Sequence, residues 1–427
     1  MTLADKATER AVPAGRHPAQ TRILAVLTAS QVLGGIGVGT GVAISTLAAA
    51  TMSGSEAIGG LAQTSAVAGA GVLAVPMARA AARRGRRTGL SLAYAAATAG
   101  MVIAALSAGL HSWPLLMLGL FLAGGGSAGG LAARYSATDL SRPGHTARDL
   151  SIVVWATTVG SIAGPNLADP ADRIGRELGL AAWAGPYAMA ALAFGLTLIG
   201  ILALLRPDPL HAAIELRGDA PTGPPTAGKA KKTGGWQTLR EAPRARLAVA
   251  AIVVSHVVMV SVMVMTPVHL NHGHASLTVV GVVISLHIAG MYALSPLPGW
   301  LADRYGHVPV LLTGMVLLAF AAALAAVSSP QHVTRLTVAL FLLGLGWSFG
   351  LVAGSALLTE SVPAERRPAV QGLSDLLMNG GAALGGLAAG AIVTVFSYGV
   401  LATCAMALVL PMTAALILSG RERKDLT

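Results

Sequence analysis

Few side chains in this sequence can carry charge or exchange a proton while surrounded by apolar neighbours. Each of them is therefore a candidate for function. His256 lies about nine residues into an apolar run and His287 about ten residues into the next, which places both roughly 14 Å deep in a helix. Imidazole tolerates burial when neutral and titrates near physiological pH, so either ring can take up or release a proton. A satisfied packing role is the competing reading for both. Asp375 sits a turn or two into a further run, with Asn379 one turn deeper on the same helix face. His256, His287 and Asp375 are thus the proton-coupling candidates, although the shallow depth of Asp375 favours a structural or gating role over proton carriage. Gln31, in Ser30-Gln31-Val32, stands where His256 stands in Ser255-His256-Val257. Asn166 follows Gly164-Pro165 inside another run, and Gln31, Asn166, His256, His287 and Asn379 are the candidates for contacting a substrate.

Other chemistries find less support. His269, His272 and His274 form H-x-x-H-x-H, a spacing that can share a metal, but no carboxylate or thiol is near in sequence. No metal site and no cofactor are assigned. The sequence holds no nucleophile–base pair, no H-E-x-x-H and no phosphate loop, so an intramembrane enzyme is not expected. The lone Cys404 rules out an internal disulfide.

The elements that must position these residues follow from composition. Hydrophobic residues make up 54% of the 427 and charged residues 11%, and the mean hydropathy is +0.69. A soluble protein of this size cannot hide so much apolar surface, so the expected solvent is a bilayer. Apolar runs recur at 23–48, 58–78, 89–110, 113–133, 151–168 and 180–205, and again at 247–269, 277–298, 308–327, 334–358, 370–396 and 398–418. Each is near the roughly 20 residues that span the hydrocarbon core. The expected organisation is a tail at 1–22, a six-helix bundle at 23–205, a linker at 206–246, a second six-helix bundle at 247–418 and a tail at 419–427. The first 22 residues lack an apolar core with a cleavage site, so the first span is expected to act as the insertion signal. The linker, rich in Pro and Lys, reads as a solvated tether, part of which can form a surface helix around Trp236, Leu239 and Leu247.

The net charge of +11 would suit a nucleic-acid partner, but its distribution argues otherwise. With the N-terminus inside, all of the 29 Lys and Arg except Arg173, Arg176 and Arg335 fall on the inner side. That is the positive-inside pattern, and it predicts cytoplasmic termini. Arg134 and Asp139, and Glu360, Arg366 and Arg367, recur at matching inner ends of spans 4 and 10 and read as rim salt bridges.

The chain also repeats itself. Gly299-Trp300-Leu301-Ala302-Asp303-Arg304-Tyr305-Gly306 has a worn copy 221 residues earlier, Ala78-Arg79-Ala80-Ala81-Ala82-Arg83-Arg84-Gly85. Gly60 and Gly69 match Gly281 and Gly290 at the same offset, and Gly124, Gly126 and Gly130 match Gly344, Gly346 and Gly350 at 220. Such a period points to duplicated halves. Six spans, a basic linker and six more, with G-x-L-A-D-R-x-G after span 8, resemble the major facilitator superfamily, especially its drug/proton antiporter-like members. The resemblance implies an all-α membrane fold of twelve helices in two pseudo-symmetric bundles around a central cavity lined by spans 1 and 7. Gln31 and His256 are then the leading substrate-facing pair, and Asp303 is expected to hold the cytoplasmic start of span 5, near Arg148 and Asp149, while Arg304 pairs with a carboxylate. Gly299 and Gly306 permit the tight turn. Arg83 and Gly85 mark the copy that would hold span 11, but Ala82 replaces its acid, so an unequal gate dominated by Asp303 is expected.

Gly160-Ser161-Ile162-Ala163-Gly164-Pro165 resembles the G-x-x-x-G-P antiporter signature of the same superfamily, although its trailing glycines are replaced by Ala168 and Asp169. Gly160, Gly164 and Pro165 are expected to bend span 5 where the bundles meet. The superfamily's span 4 arginine is missing, with Leu120, Phe121 and Leu122 in its place, so the proton site of drug antiporters does not carry over. The resulting expectation is a monomeric, multi-pass transporter of a bacterial inner membrane that exports a small organic compound in exchange for protons. The alternatives are proton-coupled uptake of a metabolite, divalent-metal export and a non-transporting receptor.

Overall fold

A bilayer offers backbone amides no partner, so each apolar run must satisfy its own hydrogen bonds and becomes a helix. In a computed structural model the described residues are 17–216, 234–274 and 277–424. The first half holds α1 (Gln20–Ser53), α2 (Glu56–Arg84), α3 (Arg86–Gly109), α4 (Trp113–Ser136), α5 (Thr146–Glu177) and α6 (Ala184–Leu204). Two short helices follow, α7 (Pro209–Leu216) and α8 (Gly235–Glu241). The second half holds α9 (Pro243–His272), α10 (Leu277–Tyr292), α11 (Pro296–Tyr305), α12 (His307–Ala326), α13 (Val333–Glu360), α14 (Arg367–Val395) and α15 (Tyr398–Lys424). Among the described residues twelve stretches are long and apolar enough to cross a membrane.

Two details depart from the sequence expectation. The eighth span is broken between α10 and α11, where Pro296 and Pro298 each remove a backbone donor. The linker is also more than a tether. α8 packs on α14, burying Leu239 and leaving Trp236 exposed, and α7 packs on α3. Lys229, Lys231 and Lys232 lie outside the described residues.

The halves pack by the same scheme: α1 lies on α5 and α9 on α14, α3 on α4 and α12 on α13, α2 on α4 and α10 on α13. The repeated glycines explain why. Gly69 faces the carbonyl of Phe121 and Gly290 that of Phe341, while Gly124 faces the carbonyl of Ala66 and Gly344 that of His287. Removing the side chain lets two backbones approach at each crossing, which substitutes for the weak hydrophobic drive between helices in lipid.

Gly85 (φ +90°, ψ 169°) and Gly306 (φ +91°, ψ 158°) share one backbone conformation. Each ends one helix and starts the next. This region is reserved for glycine, and a side chain there costs about 1–3 kcal/mol. Gly306→Ala is therefore expected to lower the thermal unfolding midpoint of the purified protein. Gly200→Ala, at a helical position with open space around it, serves as the control and is expected not to lower the midpoint, since Ala favours a helix over Gly.

Candidate functional site

A cavity of about 190 Å³ lies between the halves, with α1, α3, α4 and α5 on one side and α9, α10, α13 and α14 on the other. Gln31, Arg134, Thr157, His256, Trp347 and Asn379 supply much of its polar lining, and Leu131, Tyr292, Leu351 and Met378 contribute apolar surface. Gln31 donates to Thr157 Oγ1 at 3.2 Å. Trp347 Nε1 donates to His256 Nδ1 at 2.8 Å. That bond assigns the proton of the neutral ring to Nε2, so His256 presents an N–H donor. To act as a proton carrier it would have to give up the bond. Asn379 donates to the carbonyl of Asp375, one turn back, at 2.8 Å.

The other two polar candidates are placed elsewhere. His287 is fully buried, its Nδ1 2.7 Å from the carbonyl of Leu340 in the packing seam between α10 and α13. It takes the place that Ala66 holds in the first half, so helix rotation turns it toward a neighbouring helix and not to the cavity. Asn166 is exposed and donates to the carbonyl of Ile162 at 2.7 Å, which also keeps it out of the cavity lining. At the end of α9, His269 Nε2 lies 3.0 Å from the carbonyl of Ser328 and stacks on Tyr398 with centroids 4.2 Å apart. Among the described residues no group of three His, Cys, Asp or Glu could hold a metal.

The floor of the cavity is ionic. Arg134 is not a rim residue, as its place at the end of span 4 had suggested. It is fully buried and donates from Nη2 to Asp375 Oδ1 at 2.7 Å, joining α4 of one half to α14 of the other. The same nitrogen reaches the Tyr135 hydroxyl at 3.1 Å. Nε and Nη1 have no partner. Beside this pair, Arg86 donates to Asp139 from Nε at 2.7 Å and from Nη2 at 3.2 Å, and also to Gln371 Oε1 across the halves at 2.6 Å. Arg367 approaches Asp139 from the second half at 3.7 Å. Arg86, the residue that follows the worn loop, thus reaches the other half, whereas Arg83 is exposed. Of the remaining expected rim charges, Glu360 pairs with His307 and Arg366 with Glu241 of α8.

At the start of α5, Asp303 accepts hydrogen bonds from the backbone N–H of Ala147 at 2.9 Å and of Arg148 at 2.8 Å. An anion at a helix N-terminus satisfies orphan donors and complements the macrodipole. Arg304 does not pair with a carboxylate as expected: its guanidinium lies 5.7 Å from the Trp300 ring centroid and 5.6 Å from that of Tyr305. Gly299 packs against Ser151, and at the symmetry-related crossing Gly372 packs against Ala78. The two crossings are built alike, with the glycine on opposite partners. Where the first loop lacks its acid, Arg86 and its buried network stand in.

Gly160 and Gly164 of the G-x-x-x-G-P stretch face α1 within their own half, while Ser161 between them lines the cavity. A methyl on Gly160 would stand 2.6 Å from Gly35 Cα, and one on Gly39 would stand 3.1 Å from Pro165 Cδ. Its glycines let α5 and α1 touch backbone to backbone.

The hydrogen bonds that join the halves among the described residues, including Ser295 to Ser151 and Thr138 to Thr359, all lie in the part of the helices nearest the linker. This linker end is shut. Toward the far end Ile162, Leu384 and Leu387 are exposed, and Gly380, Gly386 and Gly390 border open space.

A helical chain of two alike halves, with a polar cavity between them shut at one end, has the architecture of a two-bundle membrane transporter. The sequence matches the profile of the Major Facilitator Superfamily over residues 24–274 and 262–426, and the protein belongs to that family. Its members are transporters and not enzymes. It is similar to the MFS-type transporter YdeG of Bacillus subtilis, at 35% identity over 88% of this chain and 87% of that one. It is also similar to the riboflavin transporter RfnT of Brucella anthropi, at 32% identity over 72% and 73% of the two chains. In fold it matches the human organic anion transporter MFSD10, with a TM-score of 0.73 at 16% identity, covering 94% of this chain and 100% of that one.

Proposed function

We propose that this protein exports a small organic compound by alternating access, driven by protons, with its termini and linker on the cytoplasmic side of a bacterial inner membrane. The observation that carries the reading is the central cavity lined by both halves and closed at the linker end by bonds that cross between them. The orientation rests on the Lys and Arg distribution. The similarity to a riboflavin transporter supports an organic cargo. The outer histidines lend no support to metal export, because His269 is already engaged by Ser328 and Tyr398.

Asp375 is the residue we assign to proton coupling. It is a carboxylate in the seam below the cavity, and its charge holds Arg134 across the halves. Taking up a proton removes that charge, weakens the pair and releases the linker end. His256 then serves as a neutral donor to cargo. Because one chain supplies both walls of the path, the monomer is the working unit.

Compound accumulation in a deletion strain, with and without a protonophore, tests this. The expected result is higher accumulation of the cargo in the deletion strain, with the difference erased by the protonophore. Lower accumulation on deletion would establish uptake instead, and a difference that survives the protonophore would remove the proton.

A further inference from the structure

The seam beneath the cavity carries buried charge: Arg86 pairs with Asp139 and Arg134 with Asp375. The Asp139 carboxylate is shared by Arg86 and Arg367, and Asp375 touches a single nitrogen of Arg134. Arg134 lines the cavity, is fully buried, and leaves Nε and Nη1 without a partner. Its guanidinium is held over the Tyr135 ring, 4.6 Å from the centroid. A buried guanidinium with open donors is costly in a low-dielectric setting unless something accepts them.

From this geometry we propose that the cavity is built for an organic anion, whose carboxylate or similar acid group docks on Arg134 while its ring lies against Tyr292 and Trp347. This rests on the transport reading above and narrows its cargo. Tyr292 and Trp347 meet edge to face with centroids 5.5 Å apart, giving an aromatic wall beside the arginine. The space suits a compact molecule: an apolar cavity of about 150 Å³ holds a benzene ring, and this one measures about 190 Å³. The same guanidinium repels an organic cation.

The arrangement also places the cargo beside the Arg134–Asp375 pair. A carboxylate gripping the guanidinium fork with two parallel bonds uses Nη2 on either edge. Nη2 is the nitrogen that holds Asp375. That nitrogen carries two N–H groups, one on each edge, and the Tyr135 hydroxyl also lies within its reach, so a carboxylate on either edge displaces Asp375 or Tyr135.

The test is equilibrium binding to the purified full chain in detergent, with no gradient present. The probes are benzoate, naphthoate and indoleacetate, each paired with its own amide. A charge-assisted bond predicts that carboxylates bind roughly tenfold or more tighter than the amides. Arg134→Gln should erase that gap and Arg134→Lys should keep part of it. Asp375→Asn removes the neighbouring negative charge and should widen the ratio of acid to amide affinity, a ratio that cancels any change in the conformation of the protein. Amides that bind as tightly as acids, no binding by any acid, a gap that survives Arg134→Gln, or a narrower gap in Asp375→Asn would each overturn the proposal. Because no transport is measured, a failure here leaves export standing, and a failure of the accumulation experiment leaves the anion site standing.

Discussion

Replacing Asp375 with Ala is expected to turn the resting transporter over, so that its linker end is open for most of the time. Arg134 and Asp375 have side-chain exposures of only 1% and 6%, and their bond at 2.7 Å joins the halves directly. Removing one member of a buried pair costs about 3–5 kcal/mol, because the other charge is left uncompensated. The open state relieves that cost by letting water reach Arg134. A shift from 1:99 to 99:1 takes about 5.5 kcal/mol, so a change of this size moves the equilibrium by roughly two to four orders of magnitude. Labelling of a single cysteine reads it. Cys404 is exposed and must first be replaced by Ser. Ser374, fully buried one residue before Asp375, then becomes the reporter as Ser374→Cys. Its labelling rate should be low in the parent and should rise by more than tenfold in Asp375→Ala. An unchanged rate would mean that the pair does not hold the end shut.

Asp303→Asn is expected to push the same equilibrium in the same direction, but less far. The carboxylate accepts two backbone N–H bonds from the first turn of α5, one on each oxygen. Asn keeps one carbonyl acceptor, loses the second bond and loses the charge that complements the helix dipole. For a half-buried group the loss is about 1–2 kcal/mol after allowance for screening by solvent, which is roughly a tenfold shift. The same Ser374→Cys reporter should label faster than in the parent and slower than in Asp375→Ala. Equal rates in Asp303→Asn and the parent would reduce the Asp303 contact to a turn without gating value. This ranking reverses the sequence-based expectation, in which the Asp303 loop dominated. The reason is burial: Asp303 is half-exposed at the linker end, while the Arg134 pair and the Arg86 network are dry.

What the sequence made legible follows the range of the physics involved. Burying a span is a property of about 20 consecutive residues, so the twelve spans could be read directly. The turn glycines Gly85 and Gly306 could be read too, because a duplicated loop repeats its backbone demand and both adopt the same positive φ. The placement of His256 and His287 could not. Equal depth in successive spans says nothing about rotation, and one ring faces the cavity while the other faces α13. The repeat held a clue, since His287 falls where the first half has Ala66 at a helix crossing.

The Arg134–Asp375 bond was the least legible feature. It joins residues 241 apart in sequence, and the duplication gives no hint of it. The positions matching Arg134 and Asp375 in the opposite halves are Gly354 and Val154, which carry no charge. Arg134 looked like a rim charge because the apolar run ends just before it, yet α4 continues to Ser136 and carries the guanidinium into the seam. Aromatic lining residues such as Trp347 and Tyr292 were missed for a related reason. An aromatic in an apolar span looks like core until a cavity is seen beside it.

Paired spin labels at both ends of one preparation test the central claim most directly, which is that closing one end of the cavity and opening the other are a single transition. Suitable exposed positions are Arg83 with Glu365 at the linker end, and Ile174 with Phe396 at the far end. In the parent protein a short linker-end distance is expected together with a long far-end distance. In Asp375→Ala the linker-end distance should lengthen and the far-end distance should shorten in matching proportion. A linker end that opens while the far-end distance stays unchanged would contradict the claim.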